Sequence, residues 1–65
     1  MKFYKAKHDG VSLDKFILDR YTFYKDELFT PGELRRFHLS KKDFDVIEAD
    51  IGDTCIYKDR RVLKR

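Results

Sequence analysis

Three side chains of this sequence offer reactive chemistry: Cys55, His8 and His38. A thiol becomes a working nucleophile when a histidine takes its proton and a carboxylate orients that histidine. Nothing around Cys55 suggests such a set. It lies in Thr54-Cys55-Ile56-Tyr57, where β-branched and aromatic neighbours read as a strand and the thiol as a small buried hydrophobe. His8 precedes Asp9-Gly10 and reads as a turn residue. His38 follows a helix, where a cation suits the C-terminal dipole. One Cys and two His cannot close a structural zinc site, and ligand spacing is absent. The chain is therefore expected to be no enzyme, with no metal and no cofactor.

Binding is the function class that remains. The net charge of +3 is too small to imply a nucleic-acid partner by itself. The cations nevertheless fall into two groups. Arg35, Arg36, Lys41 and Lys42 belong to a helix and its exit, and Lys58, Arg60, Arg61, Lys64 and Arg65 to the C-terminal tail. If the groups converge, they can grip phosphates. Between them runs the acidic set Asp43, Asp45, Glu48, Asp50 and Asp53, which an antiparallel meander would lay across from the basic tail as a charge ladder.

Tyr4, Tyr21, Tyr24 and Tyr57 point elsewhere. Tyrosine is large, amphipathic and has few rotors, so it is enriched where proteins meet. Six Phe and four Tyr in 65 residues exceed what so small a core is expected to take in. The surplus is left for the surface, for a partner, or for a second copy that enlarges the core.

The elements that must position these residues are legible in part. Residues 2–7 alternate loosely as a first strand, and His8-Asp9-Gly10 is a turn. Leu13, Phe16, Ile17, Tyr21 and Tyr24 fall at helical spacing behind Ser12, whereas Tyr21-Thr22-Phe23-Tyr24 favours a strand. The reading is a short helical or irregular piece through Leu18, then a strand at 21–24 joined by Lys25-Asp26 to a second strand at 27–29. Phe29-Thr30-Pro31-Gly32-Glu33-Leu34 is the strongest local signal. Thr30 caps a helix opened by Pro31, Glu33 completes a capping box, and Phe29 and Leu34 form a hydrophobic staple. The helix is expected from Pro31 to about His38, with Leu34 and Phe37 inward and Arg35 and Arg36 outward.

Ser40 to Asp43 reads as a single-turn cap. In Phe44–Ile51 the inward residues are Phe44, Val46 and Ile51. Gly52-Asp53 is a turn, Thr54–Tyr57 a strand, Lys58-Asp59 a turn and Arg61–Leu63 a last strand. The fold class is α+β in a single domain over residues 1–65. A small antiparallel sheet or partial β-barrel carries one short helix near residues 31–38 and a C-terminal β-meander.

The stretch Asp19-Arg20-Tyr21-Thr22-Phe23-Tyr24-Lys25-Asp26-Glu27-Leu28-Phe29-Thr30-Pro31-Gly32-Glu33-Leu34 resembles small uncharacterised open reading frames of phages and prophages of Gram-positive bacteria. They share an aromatic strand, a Lys-Gly/Asp-Glu turn, an apolar-aromatic-Thr-Pro segment and a Glu-Leu helix start. Asp26 stands here where the turn glycine is usual, and Phe44–Tyr57 matches only loosely. The resemblance implies a phage- or prophage-type accessory protein. The expectation is an interaction module in the host cytoplasm that binds a protein or itself through Tyr4, Tyr21, Tyr24 and Tyr57. The alternative is nucleic-acid binding through Arg35, Arg36, Lys41, Lys42, Arg60, Arg61, Lys64 and Arg65. No run approaches the roughly 18 apolar residues of a membrane span, and the basic N-terminus has no apolar region behind it. A membrane partner is therefore not expected. A lone cysteine suits a reducing compartment.

Overall fold

The computed structural model describes residues 1–64; Arg65, one of the expected phosphate contacts, lies outside the described residues. The elements are β1 (Lys2–Ala6), β2 (Gly10–Asp14), β3 (Asp19–Phe23), β4 (Leu28–Phe29), α1 (Pro31–Arg36), β5 (Phe44–Glu48), β6 (Thr54–Tyr57) and β7 (Arg60–Leu63). Single 3-10 turns at Lys41–Asp43 and Ile51–Asp53 lead into β5 and β6. The α+β class holds, with antiparallel strands and one short helix.

The strands form three small sheets rather than one sheet or a partial barrel. β1 is the centre of a three-stranded sheet in the order β4-β1-β5, and β2-β3 and β6-β7 are separate hairpins. The expected meander is thus only a C-terminal hairpin, because β5 leaves β6 and pairs with β1. Burial of Phe44 opposite Ala6 favours that choice, and charge agrees with it: Lys2 faces Glu48 and Lys5 faces Asp45 across the ladder, opposite-sign pairs of the kind that add to a register. The acidic residues of β5 therefore meet the N-terminal cations and not the C-terminal tail. Lys7 Nζ lies 3.9 Å from Asp45, and the Met1 amino group 3.2 Å from Glu48.

The central sheet is buried on both faces at β1, where Phe3 and Tyr4 are adjacent and both enclosed. Tyr4, Ala6, Phe29 and Phe44 face a layer made of Phe23, Leu34 and Phe37, with Tyr21 and Leu39 packed at its margin. Phe3 and Leu28 point to the opposite side, where β7 lies against β4 and the Arg61 guanidinium sits 5.7 Å over the Phe3 ring. Phe29 is the hub of the first layer. Its ring meets those of Tyr21, Phe23, Phe37 and Phe44 edge-on at centroid distances of 5.5–6.3 Å, the arrangement that aromatic quadrupoles favour.

Two expectations about the first half are corrected. No helical piece runs through Leu18. Residues 10–14 form β2, paired to β3 with Ser12 opposite Tyr21 and Asp14 opposite Asp19. The hairpin wins because it lets Gly10 and Ser12 face inward with Tyr21 and Phe23, and Gly10 lies so close to the Phe23 ring that a Cβ would sit 2.4 Å from it. Nor do residues 21–24 pair with 27–29. Asp26 adopts a left-handed conformation (φ 71°) and its N–H bonds the Ala6 carbonyl, which swings β4 onto β1 with Tyr4 opposite Phe29.

The capped helix forms as expected at its start. Glu33 N–H donates to Thr30 Oγ1 at 3.2 Å, and Thr30 N–H donates to Glu33 Oε1 at 2.9 Å. Leu34 and Phe37 are buried, as is Phe29. Arg36 does not point out, because it pairs with the buried Asp14. Val46 and Ile51, expected inside, are exposed; the layer over Tyr4 and Phe44 stops short of Val46, and Ile51 belongs to a surface turn.

The helix ends in a Schellman motif: Leu39 N–H bonds the Leu34 carbonyl and His38 N–H the Arg35 carbonyl. His38 sits at the left-handed position with φ 54°, where glycine is free of the Cβ penalty. His38→Gly is therefore expected to stabilise the fold by about 1 kcal/mol. Urea unfolding checks this: the midpoint should rise with an unchanged slope.

Candidate interaction surfaces

The reactive trio is dispersed. Cys55 is exposed in a groove beside Lys25, Tyr57 and Lys64, with no histidine in its lining. His8 Nε2 lies 3.3 Å from Asp43 Oδ1 and its Nδ1 2.7 Å from the Asp9 carbonyl oxygen. The Asp9 carbonyl first, and Asp43 second, raise the His8 pKa above its ordinary value. His38 lies beyond the end of α1. Among the described residues, no group of His, Cys, Asp or Glu side chains is placed to hold a metal, and no helix is long and apolar enough to cross a membrane.

The four tyrosines have three different environments. Tyr4 is buried, with the ammonium groups of Lys2 and Lys41 at 5.3 and 6.0 Å from its ring; Lys2 is the first cause of a lowered phenol pKa. Its ring offers no partner surface. Tyr21 is half-buried and stacked on Phe37 at 4.2 Å. Burial, and then the Glu27 carboxylate that accepts a hydrogen bond from its hydroxyl, push the Tyr21 pKa well up.

Tyr24 and Tyr57 are exposed and come together. Tyr24 follows β3 and Tyr57 ends β6, so residues far apart in sequence line one groove of about 460 Å3 with Lys25, Lys58, Arg60 and Val62. Local geometry explains Tyr57: Lys58 and Asp59 both have positive φ (50° and 64°), giving the two-residue turn that matches the twist of β6-β7. Glu27 explains Tyr24 and Arg60. This buried carboxylate accepts from the Tyr21 hydroxyl and from the Tyr24 backbone N–H at 3.2 Å, and it forms an ion pair with Arg60, Nε to Oε1 at 3.4 Å. Arg60 is thereby held 4.4 Å over the Tyr24 ring, a cation–π stack on a groove wall.

No known relative helps to read this groove. Comparison with protein-family models, curated proteins and solved structures gives no match.

The basic residues divide differently from their sequence grouping. Arg36 forms a two-point pair with Asp14, Nε to Oδ1 at 3.1 Å and Nη2 to Oδ2 at 3.0 Å. That pair, with the Phe16 N–H, holds the Asp14 pKa below the ordinary carboxylate value. Arg60 is committed to Glu27, and Arg61 Nη1 lies 2.6 Å from Glu33 Oε1. Three of the expected phosphate contacts thus already have carboxylate partners. Arg35 and Lys41 line a second groove of about 410 Å3 with Lys15 and His38. Lys42 is exposed, its carbonyl accepting from Lys7 Nζ at 3.2 Å. Lys64 lines the groove at Cys55, which adjoins the tyrosine groove through Lys25, Tyr57 and Val62. The helix and tail cations therefore line separate grooves.

Sequence reasoning missed two features. One is Glu27, the hub of the tyrosine groove, which looks in sequence like any exposed carboxylate. The other is the β2-β3 turn, where Phe16, Ile17 and Leu18 are 75%, 65% and 78% exposed. Its signal was present in Asp14. An Asp whose side chain accepts from the N–H two residues on builds a turn, and Asp14 Oδ1 accepts from Phe16 N–H at 2.8 Å.

Proposed function

We propose that this chain is a small accessory module, of the phage or prophage type suggested by Asp19–Leu34, that binds a protein in the host cytoplasm. The contact is the groove between Tyr24 and Tyr57. The observation that carries the reading is the pairing of these two exposed rings, from separate elements, around the stacked Arg60. Tyr and Arg are the residues that most often dominate binding energy at protein interfaces. The Glu27 network fixes Arg60 and the Tyr24 backbone before any partner arrives, which lowers the ordering cost of association. The groove walls are apolar rings and Val62, and its rim is Lys25 and Lys58. That matches the apolar centre and polar rim of such contacts.

The test compares the wild type with Tyr24→Ala/Tyr57→Ala by affinity capture from extract of the producing cells, followed by titration with the captured protein. Truncating the two rings is expected to weaken the complex at least about a hundredfold while leaving the circular dichroism spectrum unchanged. Equal capture by both forms would reject the groove as the contact.

A further inference from the structure

We infer that the β2-β3 hairpin tip, Phe16-Ile17-Leu18, together with Lys15, Arg35 and Lys41 beside it, docks on an anionic lipid bilayer surface. The site uses none of the residues of the tyrosine groove.

The tip is built, not loose. Asp14 is enclosed, accepts from Phe16 N–H through Oδ1, takes both contacts from Arg36, and its carbonyl accepts from Leu18 N–H at 2.9 Å. Lys15 N–H donates to the Arg36 carbonyl at 2.9 Å, which ties the turn to the end of α1. The Arg36 guanidinium lies 4.6 Å over the Phe16 ring. On this frame stand three consecutive large apolar side chains, each at least 65% exposed. Leu18 is held there with φ 54°, a left-handed position where Gly or Asn would be free of strain. The outward face of the hairpin continues the apolar surface through Val11 and Leu13, both exposed. Large apolar side chains gathered and exposed on one hairpin mark a candidate interaction site.

Cations outnumber the exposed acid of the turn, Asp19, and that balance selects the occupant. The groove beside the tip carries Lys15, Arg35 and Lys41 and no carboxylate. None of the three is ion-paired among the described residues. Arg20 is exposed opposite Leu13. A convex apolar tip needs no matching pocket to enter the acyl boundary of a bilayer. Cations at its base can stay at headgroup level, where anionic lipids attract them. A second copy fits poorly, because it would gather the like charges of Lys15, Arg20, Arg35 and Lys41 from both chains at one interface. Nucleic acid fits poorly too, since Ile17 and Leu18 offer nothing to phosphates and Arg36 already covers a face of Phe16. The lack of a long apolar run, which led to the expectation of no membrane partner, bears on spans and not on surface docking.

The experiment is co-sedimentation of the full chain with vesicles of phosphatidylcholine alone and of phosphatidylcholine with phosphatidylglycerol. Binding is expected only to the anionic vesicles and should weaken with added salt. Phe16→Ser/Leu18→Ser and Lys15→Glu/Arg35→Glu should each lower the partition about tenfold or more. Tyr24→Ala/Tyr57→Ala should leave it unchanged, so failure here is separate from failure of the groove. Leu18→Gly gives opposite signs in two readouts: a higher thermal midpoint and a lower partition. The inference is overturned by no sedimentation with anionic vesicles at low salt, or by equal binding to both vesicle types. It is also overturned if Phe16→Ser/Leu18→Ser binds like the wild type, or if light scattering shows a dimer that this variant dissolves.

Discussion

Phe29→Ala is expected to leave this chain unfolded under conditions in which the wild type is native. Phe29 is 1% exposed and its ring contacts four others. Truncating a core phenylalanine costs about 3–5 kcal/mol, from lost transfer energy and the cavity left behind. A domain below about 70 residues seldom holds more than about 3–5 kcal/mol in total, and the single Cys55 offers no internal disulfide. One side chain thus carries the whole margin. Circular dichroism and urea titration read the result, and a cooperative transition near the wild-type midpoint would contradict it. Phe16→Ala is the control of the same chemistry, since a ring that is 75% exposed should change stability by less than about 0.5 kcal/mol.

The second large effect is expected at Glu27. Glu27→Ala removes the shared acceptor of the Tyr21 hydroxyl and the Tyr24 N–H together with the ion-pair partner of Arg60. Breaking a buried ion pair from one side costs about 3–5 kcal/mol; Arg60 is partly exposed and can regain water, so about 3 kcal/mol is expected. Glu27→Gln should lose less, because a neutral acceptor for Tyr24 N–H remains. The same substitutions should bring the Tyr21 phenol down toward its ordinary pKa, since the Glu27 carboxylate is, after burial, the main cause of its rise. Ultraviolet absorbance during alkaline titration follows that phenol. An unchanged Tyr21 titration, or a stability loss below about 1 kcal/mol, would remove Glu27 from the centre of this network. Arg60 would also be freed from the Tyr24 ring, so the variant tests the groove as well as the fold.

Local chemistry was legible in the sequence and long-range pairing was not. Thr30, Pro31 and Glu33 announce a helix start through contacts within three residues, and the capping box forms in full. Lys58-Asp59 marks the last hairpin for the same reason. The partner of each strand is a different problem. β1 lies between β4 and β5, more than twenty residues away in each case, and the choice brings Phe44 opposite Ala6 in the core while Lys2 and Lys5 meet Glu48 and Asp45. Helical spacing of Leu13, Phe16 and Ile17 misled because those side chains are exposed; periodicity reports a core face only where a core is present. Val46 misled for the complementary reason, sharing the face of the buried Phe44 but lying beyond the layer that covers it.

Of the residues proposed to make the contact, Tyr24 and Tyr57 could be named from residue type alone. Their juxtaposition could not, since it depends on how β6-β7 folds back beside β4. The arginines show the opposite failure. Arg36, Arg60 and Arg61 look free in a list of charges, yet each is claimed by a carboxylate from another element: Asp14, Glu27 and Glu33. Lys15, in contrast, is an isolated cation in the sequence and stands beside Arg35 and Lys41 in the structure.

Photo-crosslinking from position 57 tests the central claim most directly. Benzoylphenylalanine replaces Tyr57 in one chain and the exposed Ile51, which lines neither tyrosine-groove wall, in another. Both are irradiated in the producing cells and the adducts are identified by mass. The account predicts one discrete protein adduct from position 57, none from position 51, and its loss when Tyr24→Ala is added. Adducts of equal yield from both positions, or none from position 57, would contradict it.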